Sequence, residues 1–398
     1  MIDLTEDIRQ AIDEGKFACG VFIDLQKAFD TVDHDILLKK LEHYGIRGIA
    51  NNWFRSYLKS RKQFVSTSGF ESVISNIDFG VPQGSVLGPL LFLIYINDLH
   101  QAIKYNKTRH FADDTNILAK NKNLKQLKKY LNLDLRNLCS WLKANKISLN
   151  CSKTELMIFR HPNKQLNYNL KIKINGKKLL PSKCVKYLGI TLDNHLNWSY
   201  HVESLSTKLS RAVGMLSKIR HYVSESTLRS IYFGIFSSLL TYGSQVWGQF
   251  QNKHIFRLQK LRNKAIRIIN FAKYDDPSAP LYQKSKILKL SDHVKIQNFY
   301  FVHNSLKGTL PTALKNHFQV AADNHSQNTR GASQYKLTLP KARTLSYGIN
   351  SIIYQATAFW NTIVSELPEE KFQQQSKFVC HKIIKQHILD TYSSKVSK

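Results

Sequence analysis

The stretch RHFADDTNIL, residues 109–118, places two adjacent carboxylates, Asp113 and Asp114, inside an apolar segment. Phe111 precedes the pair and Ile117 follows it, which predicts a hairpin with the acids at its turn. Adjacent acids are common turn residues, so the pair can be purely structural. It can also be half of a metal site, whose other half must then lie elsewhere in the sequence.

A third carboxylate, Asp24, closes the run FACGVFIDL, which is apolar and predicts a buried β-strand. A carboxylate beside buried strands must be compensated, because removing its charge from water is costly. Nearby lysine and arginine can supply that compensation, and so can a divalent cation. If the two strands pair, Asp24 meets Asp113 and Asp114 in an oxygen-only site of the kind that suits Mg²⁺.

The loop FGVPQGSVLGPLLF, residues 79–92, opens an apolar helix, with Ser85 as the candidate cap. Close backbone approach and free helix N–H groups suit an anion, and Gln83 offers a neutral donor and acceptor beside them. The segment is equally consistent with a simple turn before a core helix. The glycines that would allow close approach are Gly80, Gly84 and Gly88.

Charge is distributed unevenly along the 398 residues. Residues 1–114 hold 13 Lys and Arg against 15 Asp and Glu, a net charge of −2. Residues 115–398 hold 45 against 13, a net charge of +32, which exceeds what solubility requires and favours a nucleic-acid partner. Five widely spaced cysteines without CxxC spacing predict free thiols, and the apolar stretches are too short to span a bilayer.

Strand and helix patterns alternate in the first half of the chain, and helical patterns dominate after residue 198. We therefore predict an α+β fold followed by an all-helical region. One helix, KHIFRLQKLRNKAIRIINFAK (253–273), spaces its apolar residues at helical intervals. Its cations either face solvent or contact phosphates, and they are Arg257, Lys260, Arg262, Lys264 and Arg267.

Five segments in a fixed order carry a specific resemblance: FIDLQKAFD, GVPQGSVLGPLLF, FADD, LNCSKTELMIF and VKYLGITLD. The sequence resembles the palm of non-LTR (LINE-type) retrotransposon reverse transcriptases, in which these would be motifs A to E. The helical remainder resembles the region that follows the palm in jockey-type elements. The resemblance implies a right-hand polymerase palm, an antiparallel sheet with packed helices, over residues 1–198. A helical thumb over 199–275 and a helical C-terminal region over 276–398 would follow.

The activity implied by the resemblance is RNA-directed DNA synthesis, the addition of dNTPs to a primer 3′-hydroxyl with two Mg²⁺ ions or Mn²⁺ in their place. Asp24, Asp113 and Asp114 would hold the ions, assisted by the carbonyl of Leu25. Phe29 would lie beneath the incoming sugar and exclude a 2′-hydroxyl, although its ring can also serve core packing.

The remaining site residues are also implied by the resemblance. Gln83 and Gly84 would line the nucleotide and template pocket. Lys153 would protonate the pyrophosphate leaving group, unless it is one exposed lysine among many. The primer grip, which holds the 3′-hydroxyl in line, would be formed by Tyr187, Leu188 and Gly189. Positioning and charge neutralisation supply most of the catalysis in phosphoryl transfer, so this set is chemically sufficient.

Only 23 residues precede Asp24, so the sequence is expected to lack the fingers and endonuclease of the family and to be the C-terminal part of a polyprotein. The expected partners are an RNA template, a DNA primer and dNTPs, with no membrane. Copying at a chromosomal target favours the nucleus over the cytoplasm, although no run of five or more Lys and Arg marks it. Two other functions stay open: an inactive nucleic-acid-binding remnant, and a metal-dependent nuclease that uses the same carboxylates.

Overall fold

The computed structural model describes residues 1–164, 170–249, 253–321, 336–367 and 377–394. Contacts group the chain into a sheet unit, Gly15–Gly189, and a helical unit, Met1–Glu14 with Ile190–Lys398. The sheet unit mixes strands and helices, and the described part of the helical unit is almost entirely helical, which confirms the predicted α+β fold. The boundaries at residues 198 and 275, between the predicted palm, thumb and C-terminal region, remain predictions.

The helical unit begins with the first helix of the chain, α1 (Ile2–Asp13). Glu6 accepts the backbone N–H of Ile352 at 3.0 Å, and Asp13 accepts the backbone N–H of Thr344 at 2.7 Å. These contacts join residues more than 300 positions apart. No local pattern in the sequence indicates these contacts, and the predicted palm, residues 1–198, includes this helix.

The sheet unit contains strands and helices in alternation. The strands are β1 (Phe17–Ile23), β2 (Arg61–Gln63), β3 (Ser66–Thr67), β4 (Phe70–Glu71), β5 (Ser75–Ile77), β6 (Lys107–Phe111), β7 (Asp114–Asn121), β8 (Glu155–Phe159), β9 (Ile172–Ile174), β10 (Lys177–Leu179) and β11 (Cys184–Tyr187). The helices are α2 (His34–His43), α3 (Gly48–Leu58), α4 (Leu87–Ile96) and α5 (Leu124–Ala144), with a 3₁₀ segment at Asn97–Ala102.

A four-stranded antiparallel sheet in the order β6–β7–β1–β8 forms the centre of this unit. Every residue of β1 is buried, as expected for an unbroken apolar strand with neighbours on both sides. Ile23 lies opposite Thr115 of β7, and Ala18 lies opposite Phe159 of β8. The predicted strand before Asp24 and the predicted hairpin at FADD are both confirmed.

Helices α4 and α5 cover one face of this sheet. Alternate residues of β1 pack with the leucines of α5 in one core, and side chains alternate between faces along a strand. Phe22 and Asp24 therefore lie on the face of the sheet opposite α5. The core residues from β1 are Cys19, Val21 and Ile23, and those from α5 are Leu127, Leu131, Leu135, Leu138 and Leu142.

Caps and turns fix the ends of these elements. Asp33 caps α2 by accepting the backbone N–H of Ile36 at 2.9 Å. Ser68 and Gly69, both with positive φ, form the turn between β3 and β4. The carboxylate of Asp134 is buried in α5 and accepts the backbone N–H groups of residues 104–106, which ties α5 to the chain just before β6.

After α1, the helical unit contains one short strand, β12 (Ile190–Asp193), and then helices in every described segment. No helix among the described residues is both long and apolar enough to cross a membrane. Short 3₁₀ or π-helical segments lie at Tyr232–Ser237, Thr312–His317 and Leu345–Ile349. The α-helices are α6 (Ser199–Ile219), α7 (Glu225–Ile231), α8 (Ser238–Thr241), α9 (Ser244–Trp247), α10 (Lys253–Ile269), α11 (Ser278–Lys284), α12 (Leu290–Leu306), α13 (Ile352–Glu366) and α14 (Lys377–Ser394).

Candidate metal and nucleotide site

The three acids lie at one end of the central sheet. Asp24 follows the last paired residue of β1 and lies beside the start of β7. Phe111 pairs with Asp114 across the β6–β7 turn, which leaves Ala112 and Asp113 at the tip, and Ala112 adopts a positive φ of 50°. Strand pairing thus brings Asp24 close to the Asp113–Asp114 turn, as expected for two neighbouring strands.

These carboxylates repel one another. Partial burial raises the pKa of Asp114, and the negative charges of Asp113 and Asp24 raise it further. Among the described residues, none of the three acids forms an ion pair with a lysine or arginine. Uncompensated carboxylate oxygens at close range fit a divalent cation, which would remove the repulsion.

The acids are neighbours within electrostatic range, and they do not form a closed ligand set. In the described ranges, no three His, Cys, Asp or Glu side chains converge closely enough to hold a metal ion as they stand. A cation would therefore have to draw the carboxylates together, and hard cations such as Mg²⁺ retain several waters in protein sites that supply few ligands.

One side chain that the sequence reasoning did not single out orients Asp24. The Nδ2 of Asn150 donates to Oδ2 of Asp24 at 2.8 Å, and the backbone N–H of Asn150 donates to the Asp24 carbonyl at 2.9 Å. Lys153, three residues later, is exposed, and its backbone N–H donates to the Asn150 carbonyl. The position of Asn150 in the same motif as Lys153 was the available signal.

The glycine-rich loop is held against the segment after Asp24. The N–H of Gly80 donates to the Val32 carbonyl at 2.8 Å, and the N–H of Val81 donates to the Phe29 carbonyl at 2.9 Å. A Cβ on Gly80 would lie 2.9 Å from the backbone of Asp30, and the φ of Gly80 is +85°. Only glycine therefore fits this approach without strain.

Two residues of the loop have clear roles in its conformation. Gln83 is exposed and donates to Oδ1 of Asp30 at 2.7 Å, while Gly84 has a φ of +82° with open space around it. Ser85 Oγ accepts the N–H of Gly88 at 2.9 Å, so the predicted cap at the start of α4 is confirmed. Asp30 is a second residue that the sequence reasoning missed, although it closes the same motif as Asp24.

Phe29 and Leu25 are both packed into the sheet unit. The ring of Phe29 is half-buried and lies 4.5 Å, between centroids, from the ring of Phe92 in α4. Leu25 is buried and forms an isolated antiparallel bridge with Leu149. The contact with Phe92 therefore supports a packing role for Phe29. A ring anchored in this way can still form the floor of a sugar pocket.

The tight turn after β11 lies near the carboxylates. Tyr187 is buried, and its ring meets Phe22 edge-on at 5.2 Å between centroids. Burial raises the pKa of Tyr187 to about 12, and the charge of Asp114 contributes to the increase. Leu188 and Gly189 both have positive φ and form the turn. The structure thus brings this turn and the acids to the same face of the sheet.

Helix α10 presents only some of its predicted cations to solvent. Arg257, Lys260 and Lys264 are exposed, and Arg267 donates to the Asp276 carbonyl at 2.7 Å. Arg262, by contrast, is 3% exposed, and its Nε and Nη1 lack hydrogen-bond partners. Arg262 occupies a core position of α10, because it continues the buried stripe Ile255, Leu258, Ala265 and Ile269 at helical spacing.

Known proteins share this arrangement of motifs. The reverse transcriptase (RNA-dependent DNA polymerase) family matches residues 2–192. The RNA-directed DNA polymerase from mobile element jockey of Drosophila melanogaster is 29% identical over 303 residues, which cover 73% of this chain and 32% of that protein. The probable RNA-directed DNA polymerase from transposon BS of the same organism is 31% identical over 288 residues, covering 68% and 31% respectively.

The chain therefore spans about a third of the length of these curated relatives. A telomerase structure from Candida albicans covers 77% of this chain at 13% identity with a TM-score of 0.34, an overlap too weak to define the fold by itself. The motif order, the paired strands that carry the acids and the sequence matches agree with one another. Residues 2–192 match the reverse transcriptase family, and the chain is similar in sequence to the RNA-directed DNA polymerases of non-LTR retrotransposons such as jockey and BS.

Proposed function

We propose that the site at Asp24, Asp113 and Asp114 catalyses RNA-templated addition of dNTPs to the 3′-hydroxyl of a primer. The observation that carries the proposal is the pairing of β1 with β7, which brings the three carboxylates within electrostatic range of one another. Such a set matches what phosphoryl transfer requires, since its catalysis consists mainly of positioning and charge neutralisation.

The three carboxylates would hold two Mg²⁺ ions, or Mn²⁺ in their place, with help from the carbonyl of Leu25. Bound metal would supply Lewis-acid stabilisation of the attacking and leaving oxygens. Asn150 holds the Asp24 carboxylate in a fixed orientation by donating to Oδ2, which leaves the other oxygen of that carboxylate for a ligand role.

The surrounding residues would position the substrates. Phe29, anchored against Phe92, would form the floor under the incoming sugar. Gln83 and Gly84 lie on the loop that is tied to the same segment, and they would contact the nucleotide and its template base. Lys153 is exposed and would donate a proton to the leaving pyrophosphate.

The turn Tyr187–Leu188–Gly189 would hold the primer end near the acids, because Tyr187 lies close enough to Asp114 for that charge to help raise the pKa of Tyr187. The exposed cations of α10, Arg257, Lys260 and Lys264, would contact the backbone of the primer–template duplex. Arg267 would contribute to that surface from its contact with Asp276. A chromosomal target for copying would place this activity in the nucleus.

The test is primer extension on an annealed RNA template with Mg²⁺ and dNTPs. The native chain is compared with a chain carrying Asp113→Asn and Asp114→Asn, and template binding is measured for both. Mg²⁺-dependent extension by the native chain alone supports the proposal. Extension that survives both substitutions refutes it, because the acids would then have no part in the reaction.

A second candidate is nucleic-acid binding without turnover, favoured by the net charge of +32 over residues 115–398. Such a binder would hold the template with a steep salt dependence, whether or not Mg²⁺ or the acids are present. The same assay separates the two candidates, since tight binding without extension in both chains identifies the binder.

A further inference from the structure

The hairpin β9–β10 packs against α5 through one of its two faces. Ile172, Ile174 and Leu179 are buried and share a core with the leucines of α5. Asn132 of α5 completes the attachment, since its side chain accepts the N–H of Lys173 at 2.9 Å and donates to the Lys171 carbonyl at 3.3 Å. Because side chains alternate between the two faces of a strand, the neighbours of these buried residues point away from α5, on the outward side of the hairpin.

That outward side carries lysines without compensation. Lys173 lies directly opposite Lys178 in the antiparallel register, and both side chains are exposed. Like charges in directly opposed positions destabilise a strand pair. Lys171 is exposed on the same side, and within the described residues none of the three lies in an ion pair.

Helix α5 extends the same surface. Lys125 and Lys129 lie seven and three positions before Asn132, and Arg136 lies four positions after it. All three are exposed, and this spacing places them on the stripe of α5 that meets the hairpin. The single acid of α5, Asp134, is buried and occupied by backbone N–H groups. We call the following set the lysine surface: Lys125, Lys129, Arg136, Lys171, Lys173 and Lys178.

This surface is separate from the acid site. α5 packs on the sheet face formed by alternate residues of β1, and Asp24 follows Phe22 on the opposite face. We propose that the lysine surface binds the phosphate backbone of an RNA strand, as a second contact outside the site of nucleotide addition. The inference does not depend on the proposed polymerase activity.

The chemistry of the surface determines the class of ligand. Most of its charges are lysine ammonium groups, which act as point charges toward phosphate and carry no base specificity. The apolar side chains of β9 and β10 point inward, and Leu180, directly after β10, is exposed but is too small an apolar area to hold the surface on a lipid bilayer. A flexible polyanion such as RNA meets both conditions.

The test compares Lys173→Gln/Lys178→Gln with a control, Lys39→Gln/Lys104→Gln, which removes two exposed lysines of the same unit outside the surface. Binding of a labelled single-stranded RNA is measured across a salt series, alongside the melting temperature of each chain. We expect the first variant to lose several-fold in affinity at low salt and its log–log salt slope to fall by about 1.4. Its melting temperature should not fall, because a like-charge pair is removed.

Equal affinity and slope in the two variants would overturn the proposal. The proposal would also be overturned if the lysine variant bound RNA normally and lost affinity only for vesicles of phosphatidylserine, since the surface would then be a lipid contact. Repeating the RNA series with Asp113→Asn and Asp114→Asn present separates the two proposals. The effect of the lysine variant should persist there, whether or not the chain extends a primer.

Discussion

Asn150 donates from Nδ2 to Oδ2 of Asp24 at 2.8 Å, and the same residue closes a backbone hydrogen bond to the Asp24 carbonyl at 2.9 Å. The two residues are 126 positions apart in the sequence. Asn150 thus orients the first acid of the site through its side chain and holds the strand end that carries this acid through its backbone. Asn150 is a positioning residue for the proposed reaction.

Asn150→Ala should therefore raise the Mg²⁺ concentration needed for half-maximal extension by about tenfold, the usual scale of a hydrogen bond to a charged group. Asn150→Asp should be worse, because it sets a like charge beside Asp24, and higher Mg²⁺ should partly restore it. The readout is the metal dependence of the extension rate. A variant with unchanged metal dependence and only a lower melting temperature would reduce Asn150 to a structural role.

Asp114→Asn should stabilise the chain at neutral pH. The folded-state pKa of Asp114 is raised above its ordinary value of 3.8, so the folded state binds the proton more tightly than the unfolded state does. Stability then falls as pH rises from 3.8 through the raised pKa, and the substitution removes that loss.

Melting temperatures measured from acid to neutral pH check this. The variant should melt higher at pH 7 by less than about 3 °C, since the group is partly exposed, and the difference should vanish below the ordinary pKa. Added Mg²⁺ should raise the melting temperature of the native chain more than that of the variant. A variant that melts lower at neutral pH contradicts the proposed repulsion.

Gly80→Ala should be more destabilising than Gly84→Ala. Both positions have φ above +80°, so both substitutions carry the cost of a left-handed alanine, roughly 1–2 kcal/mol. At Gly80 the new Cβ would also meet the backbone of Asp30 at 2.9 Å, whereas at Gly84 it would meet nothing within 4 Å. Urea midpoints should therefore fall further for Gly80→Ala, and equal midpoints would show that the loop relaxes freely away from Asp30.

Arg262→Met should leave RNA affinity unchanged, while Lys260→Gln in the same helix should weaken it two- to threefold at low salt, as loss of about one phosphate contact would. Arg262 is buried, and its Nε and Nη1 have no hydrogen-bond partner, so an apolar chain of similar length should preserve or increase stability. Binding and melting curves of both variants decide the matter. A clear loss of affinity in Arg262→Met would place that guanidinium at the nucleic acid after all.

The elements around the site could be predicted because their signals are local. An unbroken apolar run predicted β1, and the acid turn predicted the β6–β7 hairpin. The pairing of β1 with β7 was expected only as the condition under which Asp24 and the turn could form one site.

The contacts that were missed depend on tertiary packing. Nothing in the sequence near Asn150 or Asp24 indicates that they touch, and the docking of α1 against Ile352 and Thr344 is equally remote. Arg262 was placed on the polar face of α10 because of its charge. Arg262 lies four residues after Leu258 and three before Ala265, which is the spacing of a core residue. It is buried because of this position, despite its charge.

The most direct test of the central claim, that these acids form a divalent-cation site, is Mn²⁺ binding measured by electron paramagnetic resonance. The native chain is compared with Asp24→Asn, with Asp114→Asn, and with Asp30→Asn as the control for a nearby acid that instead contacts Gln83. We expect saturable binding in the native and control chains and a loss of affinity of about tenfold or more in the other two. Equal Mn²⁺ affinity in all four chains would contradict it.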